Sequence, residues 1–294
     1  MTEQRQHSIV VELSRNFLGA PRFTAALTLA IIGTEVSTLL ITNLIGWAGL
    51  LGMLATLVVL AALSLLAKRG EIEWHGLLPI SLLVFVTWAG ASVFWSQYQW
   101  ATLGSVVYFG AVTMLGIYVA LVRETIQIAR AFGDVLRVAL GLSLALEIFS
   151  GLLVDSPLPF LDIQGNIAVL GPIQGIFGTR NLLGIVTLIA IITFGTELRT
   201  KSVSKGLGVG SLILGGIVLI LARSPIAAGV LVVVALAALA LYGLRRVTPE
   251  HKRFWQIGLL AATVTIAGLA WGFRTFIINA LSASAELSLR LRLW

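Results

Sequence analysis

Long apolar segments follow one another along almost the whole sequence, and several approach the length that a helix needs to cross a bilayer. A hydrocarbon core about 30 Å thick is spanned by roughly 20 helical residues. Only 11% of the 294 residues are charged, whereas soluble domains carry about 25%. The sequence therefore predicts an all-α, polytopic integral membrane protein in which residues 1–294 form a single transmembrane domain.

Glycine, proline and polar residues divide the apolar sequence into nine predicted spans. Residues 123–137 have mixed polarity and are predicted to lie along the membrane surface before the fifth span. Residues 155–180 contain Pro157, Pro159 and Pro172 and are predicted to be a loop. The predicted spans are 24–43, 47–67, 77–94, 101–121, a fifth ending near 154, 181–195, 207–222, 225–241 and 254–271.

The basic residues predict the orientation of these spans, because cytoplasmic loops carry an excess of lysine and arginine. Residues 1–22 are then a cytoplasmic N-terminal segment, and residues 273–294 begin a large outer loop. The net charge of +7 reflects this leaflet bias rather than nucleic-acid binding. The basic residues on the predicted cytoplasmic side are Arg5, Arg15, Arg22, Lys68, Arg69, Arg123, Arg130, Arg137, Arg199, Lys201, Lys205, Arg245, Arg246, Lys252 and Arg253.

The basic residues on the predicted outer side are all arginines, and they share that side with few acids. Arginine presents a rigid, permanently charged fork that suits phosphate groups. The pattern indicates an anionic ligand at the outer membrane boundary, although flanking arginines also extend to lipid headgroups without any ligand. The outer arginines are Arg180, Arg223, Arg274, Arg290 and Arg292, and the outer acids are Asp155, Asp162 and Glu286.

Two outer segments have local chemistry that favours an anion. Residues 175–181 read GIFGTRN, in which Gly178 allows close backbone approach and Thr179 or Asn181 is a candidate cap for the sixth span. Residues 223–225 read RSP, with Ser224 as a candidate cap and Pro225 at the first helical position. Each segment would place an arginine at the outer end of a helix.

These segments also carry a resemblance. Residues 175–181 resemble the Gly-x-Phe-Gly-x-Arg-Asn signature of the O-antigen ligase and Wzy-type polymerase superfamily, which includes ExoQ-like exopolysaccharide-production proteins. Residues 221–224 resemble that family's Ser-Arg-Ser hairpin, with Ala222 in place of a serine. Residues 288–294 resemble its Ser/Thr-Gly-Arg-x-x-Leu-Trp motif, with Leu289 and Arg292 as departures, and residues 94–96 also fit the family pattern.

The resemblance implies a membrane glycosyltransferase of the bacterial cytoplasmic membrane, with its active site on the outer face. Such an enzyme needs no metal or cofactor and moves a glycan from an undecaprenyl-diphosphate carrier to an acceptor sugar, alongside other polysaccharide-assembly proteins. The donor diphosphate is expected to bind Arg180 and Arg223, and more weakly Arg290. Gly178, Thr179, Asn181 and Ser224 would support that site.

One expectation from the family is unmet. A histidine in a large outer loop is proposed there to activate the acceptor, whereas His7, His75 and His251 all fall on the predicted cytoplasmic side. Because the sequence stops at Trp294, within the last motif, we expect a fragment or truncated product that is inactive or incomplete. The family resemblance does not separate a polymerase from a ligase.

Several residues are compatible with more than one functional role. Glu35 and Glu147 lie within predicted spans, where carboxylates are functional candidates, and Glu147 is placed to reach the arginine site. Trp95, Tyr98 and Trp100 form either an interfacial belt or a sugar-stacking surface. The alternative functions are a transporter or flippase for an anionic or lipid-linked solute and a non-catalytic membrane scaffold.

Overall fold

The structure, a computed structural model, describes residues 16–70, 80–246 and 249–276. Regular structure in these ranges is helical, and the only strand-like pairing within them is an isolated antiparallel bridge between Leu158 and Ile163. The helices are α1 (Pro21–Val36), α2 (Thr38–Ala67), α3 (Ile80–Ala91), α4 (Gln99–Val122), α5 (Thr125–Ile148), α6 (Arg180–Thr200), α7 (Lys205–Ala222), α8 (Pro225–Arg246) and α9 (Pro249–Gly272).

Seven helices of the described residues are long and apolar enough to cross a membrane: α2 and α4 to α9. Their surfaces carry many exposed large apolar side chains, such as Val59, Val107 and Leu239. An apolar surface of this extent is incompatible with water and is expected in contact with lipid. The architecture is therefore that of a multi-pass helical membrane protein, whereas a count of nine spans stays a prediction.

The helix α2 contains a sharp break that explains part of this difference in count. Gly46 has a φ of 73° and a ψ of 175°, so the backbone leaves the helical conformation at that residue. The chain after the break packs back against the start of the described chain, because the Ser64 hydroxyl donates to the carbonyl oxygen of Leu18, which precedes α1, at 2.9 Å. The break falls between the predicted spans 24–43 and 47–67.

Two apolar clusters hold the described helices together. The first joins α1, α2 and α4 through residues such as Leu27, Leu50 and Leu115. The second joins α5, α6 and α7 to the long loop after α5 through residues such as Leu140 and Phe177. The helices α8 and α9 lie at the periphery, where few of their side chains are buried.

The antiparallel packing gives the bundle two different ends. We call the end that carries the loop 155–179 the loop end, and the opposite one the basic end. The Arg123 guanidinium donates to the carbonyl oxygen of Pro21 at the basic end, where α6 also finishes beside Arg199 and Lys201. The separation of charge that the sequence predicts is thus kept in three dimensions, and the membrane side of each end stays a prediction.

Two predicted boundaries are wrong. Residues 123–137 are not a separate surface segment, because residues 125–148 form one helix whose Gly133 and Leu136 are buried. The sixth span does not stop at 195 but continues to Thr200, where Lys201 ends it with a φ of 55°. A charged residue interrupts the apolar pattern in each place, Arg137 in the first and Glu197 in the second, and these two side chains form an ion pair inside the bundle.

Candidate functional site

The segment 175–181 is ordered by its own local geometry. It begins as a 3-10 turn, Gly175–Phe177, whose residues are buried, and Gly178 follows with a φ of 69°. Thr179 then accepts the backbone N–H of Leu182 at 3.2 Å on its side-chain oxygen, so it is the N-cap of α6. Of the two predicted caps, Thr179 is the one confirmed, and Arg180 is the first residue of the helix.

Two side chains of α5, one helical turn apart, accept hydrogen bonds from the backbone at the start of this segment. The Oε1 atom of Glu147 accepts the backbone N–H groups of Gln174 and Gly175, each at 2.9 Å. The hydroxyl of Ser143 accepts the backbone N–H of Ile176 at 3.3 Å. The sequence marked Glu147 as a possible site residue, and the structure brings it to the backbone at the start of the segment.

The second arginine lies in a turn that joins α7 to α8. Arg223 has a φ of 46°, which ends α7, and its side chain is exposed. Ser224 accepts the backbone N–H of Ala227 at 3.1 Å, as a cap of α8. The prediction that Pro225 begins a helix and that Ser224 caps it is therefore confirmed.

A side-chain hydrogen bond connects the two arginine-bearing segments. The Ser224 hydroxyl donates to Oδ1 of Asn181 at 2.9 Å. Close approach is possible because a Cβ atom on Gly184 would lie only 2.7 Å from that of Ser224. The structure thus brings Arg180 and Arg223 to the loop end, each next in sequence to one member of this bonded pair. The third predicted ligand, Arg290, lies outside the described residues.

The loop before the segment folds back onto the bundle. Gln174 donates through its side-chain amide to the carbonyl oxygen of Asp162, and the backbone N–H of Ile173 donates to Leu221 at the end of α7. Gly178 lies against the side chain of Leu39 in α2. The predicted loop is confirmed as non-helical over most of its length, and it covers the second apolar cluster.

The other intramembrane acid of the sequence lies elsewhere. Glu35 borders a largely apolar cavity of about 510 Å³ between α1, α4 and α5. The Oε1 atom of Glu35 is buried and has no hydrogen-bond partner among the described residues. No residue that lines this cavity belongs to the arginine-bearing segments.

Sequence reasoning missed one buried ionic cluster, at the basic end. The Arg137 guanidinium pairs with Glu197 of α6, donates to the Ser211 hydroxyl of α7 at 2.7 Å and contacts Asp134 at 2.6 Å. It also lies over the Phe194 ring, 5.1 Å from the centroid. The sequence spacing gave no sign of the pair, since 60 residues separate its two members.

The remaining candidates of the sequence are dispersed. Trp95, Tyr98 and Trp100 are exposed near the turn between α3 and α4, where residues 96–101 line an open cavity of about 610 Å³. His251 lies in the first turn of α9, after the end of α8 at the basic end. His7 and His75 lie outside the described residues.

The fold and these contacts define a class: a multi-pass helical membrane protein with a loop held against one end of its bundle. Comparison with protein-family models, with curated proteins and with solved structures gave no match. Any more specific function must therefore be argued from the residues at the loop end.

Proposed function

We propose that the chain is a membrane glycosyltransferase of the O-antigen ligase and polymerase type, as the motifs at 175–181 and 221–224 imply. It would move a glycan from an undecaprenyl-diphosphate carrier to an acceptor sugar at the outer leaflet of a bacterial cytoplasmic membrane. The observation that carries the proposal is the hydrogen bond between Ser224 and Asn181, which joins the two arginine-bearing segments.

The chemistry assigned to these residues is electrostatic. In the transfer, the bond between the donor sugar carbon and the diphosphate oxygen breaks while the acceptor oxygen bonds to that carbon and loses its proton. Negative charge develops on the departing diphosphate, and fixed arginine donors stabilise it. Arg180 and Arg223 take this role in the proposal, with Arg290 as a third donor. The group that receives the acceptor proton is not assigned.

The test of the site replaces Arg180 or Arg223 by alanine in the complete protein, with Arg274→Ala as the control. Arg274 lies over the Trp271 ring at 4.9 Å and matches no motif. Loss of one charge-assisted contact to the diphosphate should weaken binding of undecaprenyl diphosphate about tenfold or more. Polymer formation should fall in both site variants and persist in the control. Unchanged polymer formation in both site variants would refute the site.

The proposal also fixes an orientation, with the basic end in the cytoplasm. Since the chain has no cysteine, Val169→Cys provides a unique thiol on an exposed position of the loop. A membrane-impermeant maleimide should label it in intact spheroplasts. Labelling only after the membrane is opened would place the loop inside and exclude an outer-leaflet site.

A second candidate function is a proton-coupled transporter or flippase for an anionic or lipid-linked solute. It is favoured by the cavity beside Glu35, whose carboxyl lies among apolar side chains. Uptake into proteoliposomes that follows a pH gradient and collapses in Glu35→Gln would support it. Uptake that ignores the pH gradient would reject it.

A further inference from the structure

We propose that Glu147 is a positioning residue for the segment 175–181, acting through one carboxyl oxygen as a hydrogen-bond acceptor and not through its charge. The inference rests on the proposed function in one respect, because it takes this segment to be part of the diphosphate site. It assigns to Glu147 a role different from proton transfer or proton coupling, the roles open to a carboxylate inside a membrane span.

The contacts of Glu147 are confined to the loop backbone. Its side chain is 1% exposed, and Oε1 accepts both the Gln174 and Gly175 N–H groups. With Ser143 accepting from Ile176, three successive backbone N–H groups are bound by one face of α5. The other oxygen, Oε2, is buried without a hydrogen-bond partner in the described part of the chain.

The segment needs such an acceptor because its own backbone cannot supply one. Gly175 and Gly178 both have positive φ angles, 55° and 69°, so only the short 3-10 turn Gly175–Phe177 forms between them. The hydrogen bond of that turn runs from the Phe177 N–H to the Gln174 carbonyl oxygen and does not use the N–H groups of Gln174 and Gly175. Buried N–H groups without partners are costly, and one carboxyl oxygen can accept two of them through its two lone pairs, as a carbonyl oxygen can. Glu147 therefore fixes the point at which the segment meets α5.

Fixing that point also fixes the start of α6. Ile176 and Phe177 enter the second apolar cluster directly after the bound N–H groups. Gly178 packs against Leu39, and Thr179 then caps the helix that begins at Arg180. Only four residues lie between Gly175 and Arg180, so a shift at Glu147 is transmitted to the arginine through a short segment.

This assignment makes different predictions for two substitutions. Glu147→Gln keeps a carbonyl oxygen at the position of Oε1 and should hold the segment. Glu147→Leu has similar bulk but no acceptor, so the Gln174 and Gly175 N–H groups lose their partner. Glu35→Leu is the matched control, because it removes another acid whose cavity lies between α1, α4 and α5.

The experiment measures the segment and the ligand separately in the full chain in nanodiscs. Ile176 is 2% exposed, so Ile176→Cys reports opening of the segment through its rate of maleimide labelling. In this background Glu147→Leu should raise the rate about tenfold or more, whereas Glu147→Gln and Glu35→Leu should not change it. Binding of undecaprenyl diphosphate should weaken in Glu147→Leu and stay at wild-type affinity in Glu147→Gln at both pH 6.5 and pH 8.

The outcomes separate the inference from the proposed function. Labelling that does not respond to Glu147→Leu would overturn it, as would a Glu147→Gln variant as defective as Glu147→Leu. If Glu147→Leu does not fold, Glu147→Asp, one methylene shorter, should give intermediate labelling, and wild-type labelling would overturn the inference. If Glu147→Leu raises the labelling rate as expected but the chain without that substitution does not bind undecaprenyl diphosphate, the proposed function is refuted. The positioning role of Glu147 is then still supported.

Discussion

Replacing Arg137 by methionine should destabilise the bundle strongly, since the substitution leaves the buried Glu197 carboxylate without its cation. The guanidinium has a partner on each side: Glu197 from α6, the Ser211 hydroxyl from α7 and Asp134 from its own helix. Glu197 is 1% exposed, and its carboxylate lies directly against Gly133. No room is available there for a new side chain to approach it from that face.

The magnitude follows from the individual contacts. Removing one partner of a buried ion pair costs about 3–5 kcal/mol in soluble proteins. The bond to Ser211 adds about 1 kcal/mol, whereas Asp134 is 52% exposed and adds little. In a membrane the unfolded chain finds alternative polar partners, which lowers these values. We therefore expect the free energy of unfolding to fall by about 3 kcal/mol in Arg137→Met.

The assay is reversible unfolding by sodium dodecyl sulfate in mixed micelles, followed by tryptophan fluorescence. Arg130→Met is the matched control, because this arginine lies two turns earlier on the same helix and is exposed; its effect should stay within about 0.5 kcal/mol. Adding Glu197→Leu to Arg137→Met should recover most of the loss, since both charges are then absent. Equal effects of the two arginine variants, or additive losses in the double variant, would refute the reasoning.

Three further predictions concern residues at turns and helix ends, and the same unfolding assay tests them. Gly175→Ala should cost about 2–3 kcal/mol, because its φ is 55° and the added Cβ meets Ser143, whereas Gly141→Ala in open space should be neutral; an equal cost for both would contradict this. Gly46→Ala should cost about 1–2 kcal/mol through its φ of 73°, and a stability equal to wild type would show that the break tolerates a side chain. Ser224→Ala should cost about 1–2 kcal/mol through loss of the α8 cap and of the bond across to α6, and an unchanged free energy would mean that neither bond is stabilising.

The elements that the sequence predicted well are those specified within a few residues. The apolar segments predict helices with the correct order, Gly46 marks the break between two of them, and Thr179 and Pro225 mark two helix starts. Each of these signals depends on a local property: apolar length, an unrestricted φ, a side-chain cap or a missing N–H group.

The boundaries that failed are those where a charged residue enters the bundle. The mixed polarity of residues 123–137 predicts a surface segment, and the predicted end of the sixth span at residue 195 leaves Glu197 outside that span. In the structure each residue neutralises the other inside the bundle, so neither marks a helix end. A charge with a buried partner and a charge in water look identical in a single sequence.

The candidate site likewise combines features that the sequence specifies locally with contacts that only the tertiary structure creates. The sequence by itself determined the class of protein, the separation of basic residues toward one end and the arginines that begin or precede helices. Only the tertiary structure decided that Asn181 bonds to Ser224, that Glu147 holds the Gly175 backbone and that Arg137 meets Glu197. These partners lie 43, 28 and 60 residues apart. Their meeting depends on how neighbouring helices are rotated and shifted along their axes, which is set by side-chain packing over whole helix faces and not by any local pattern.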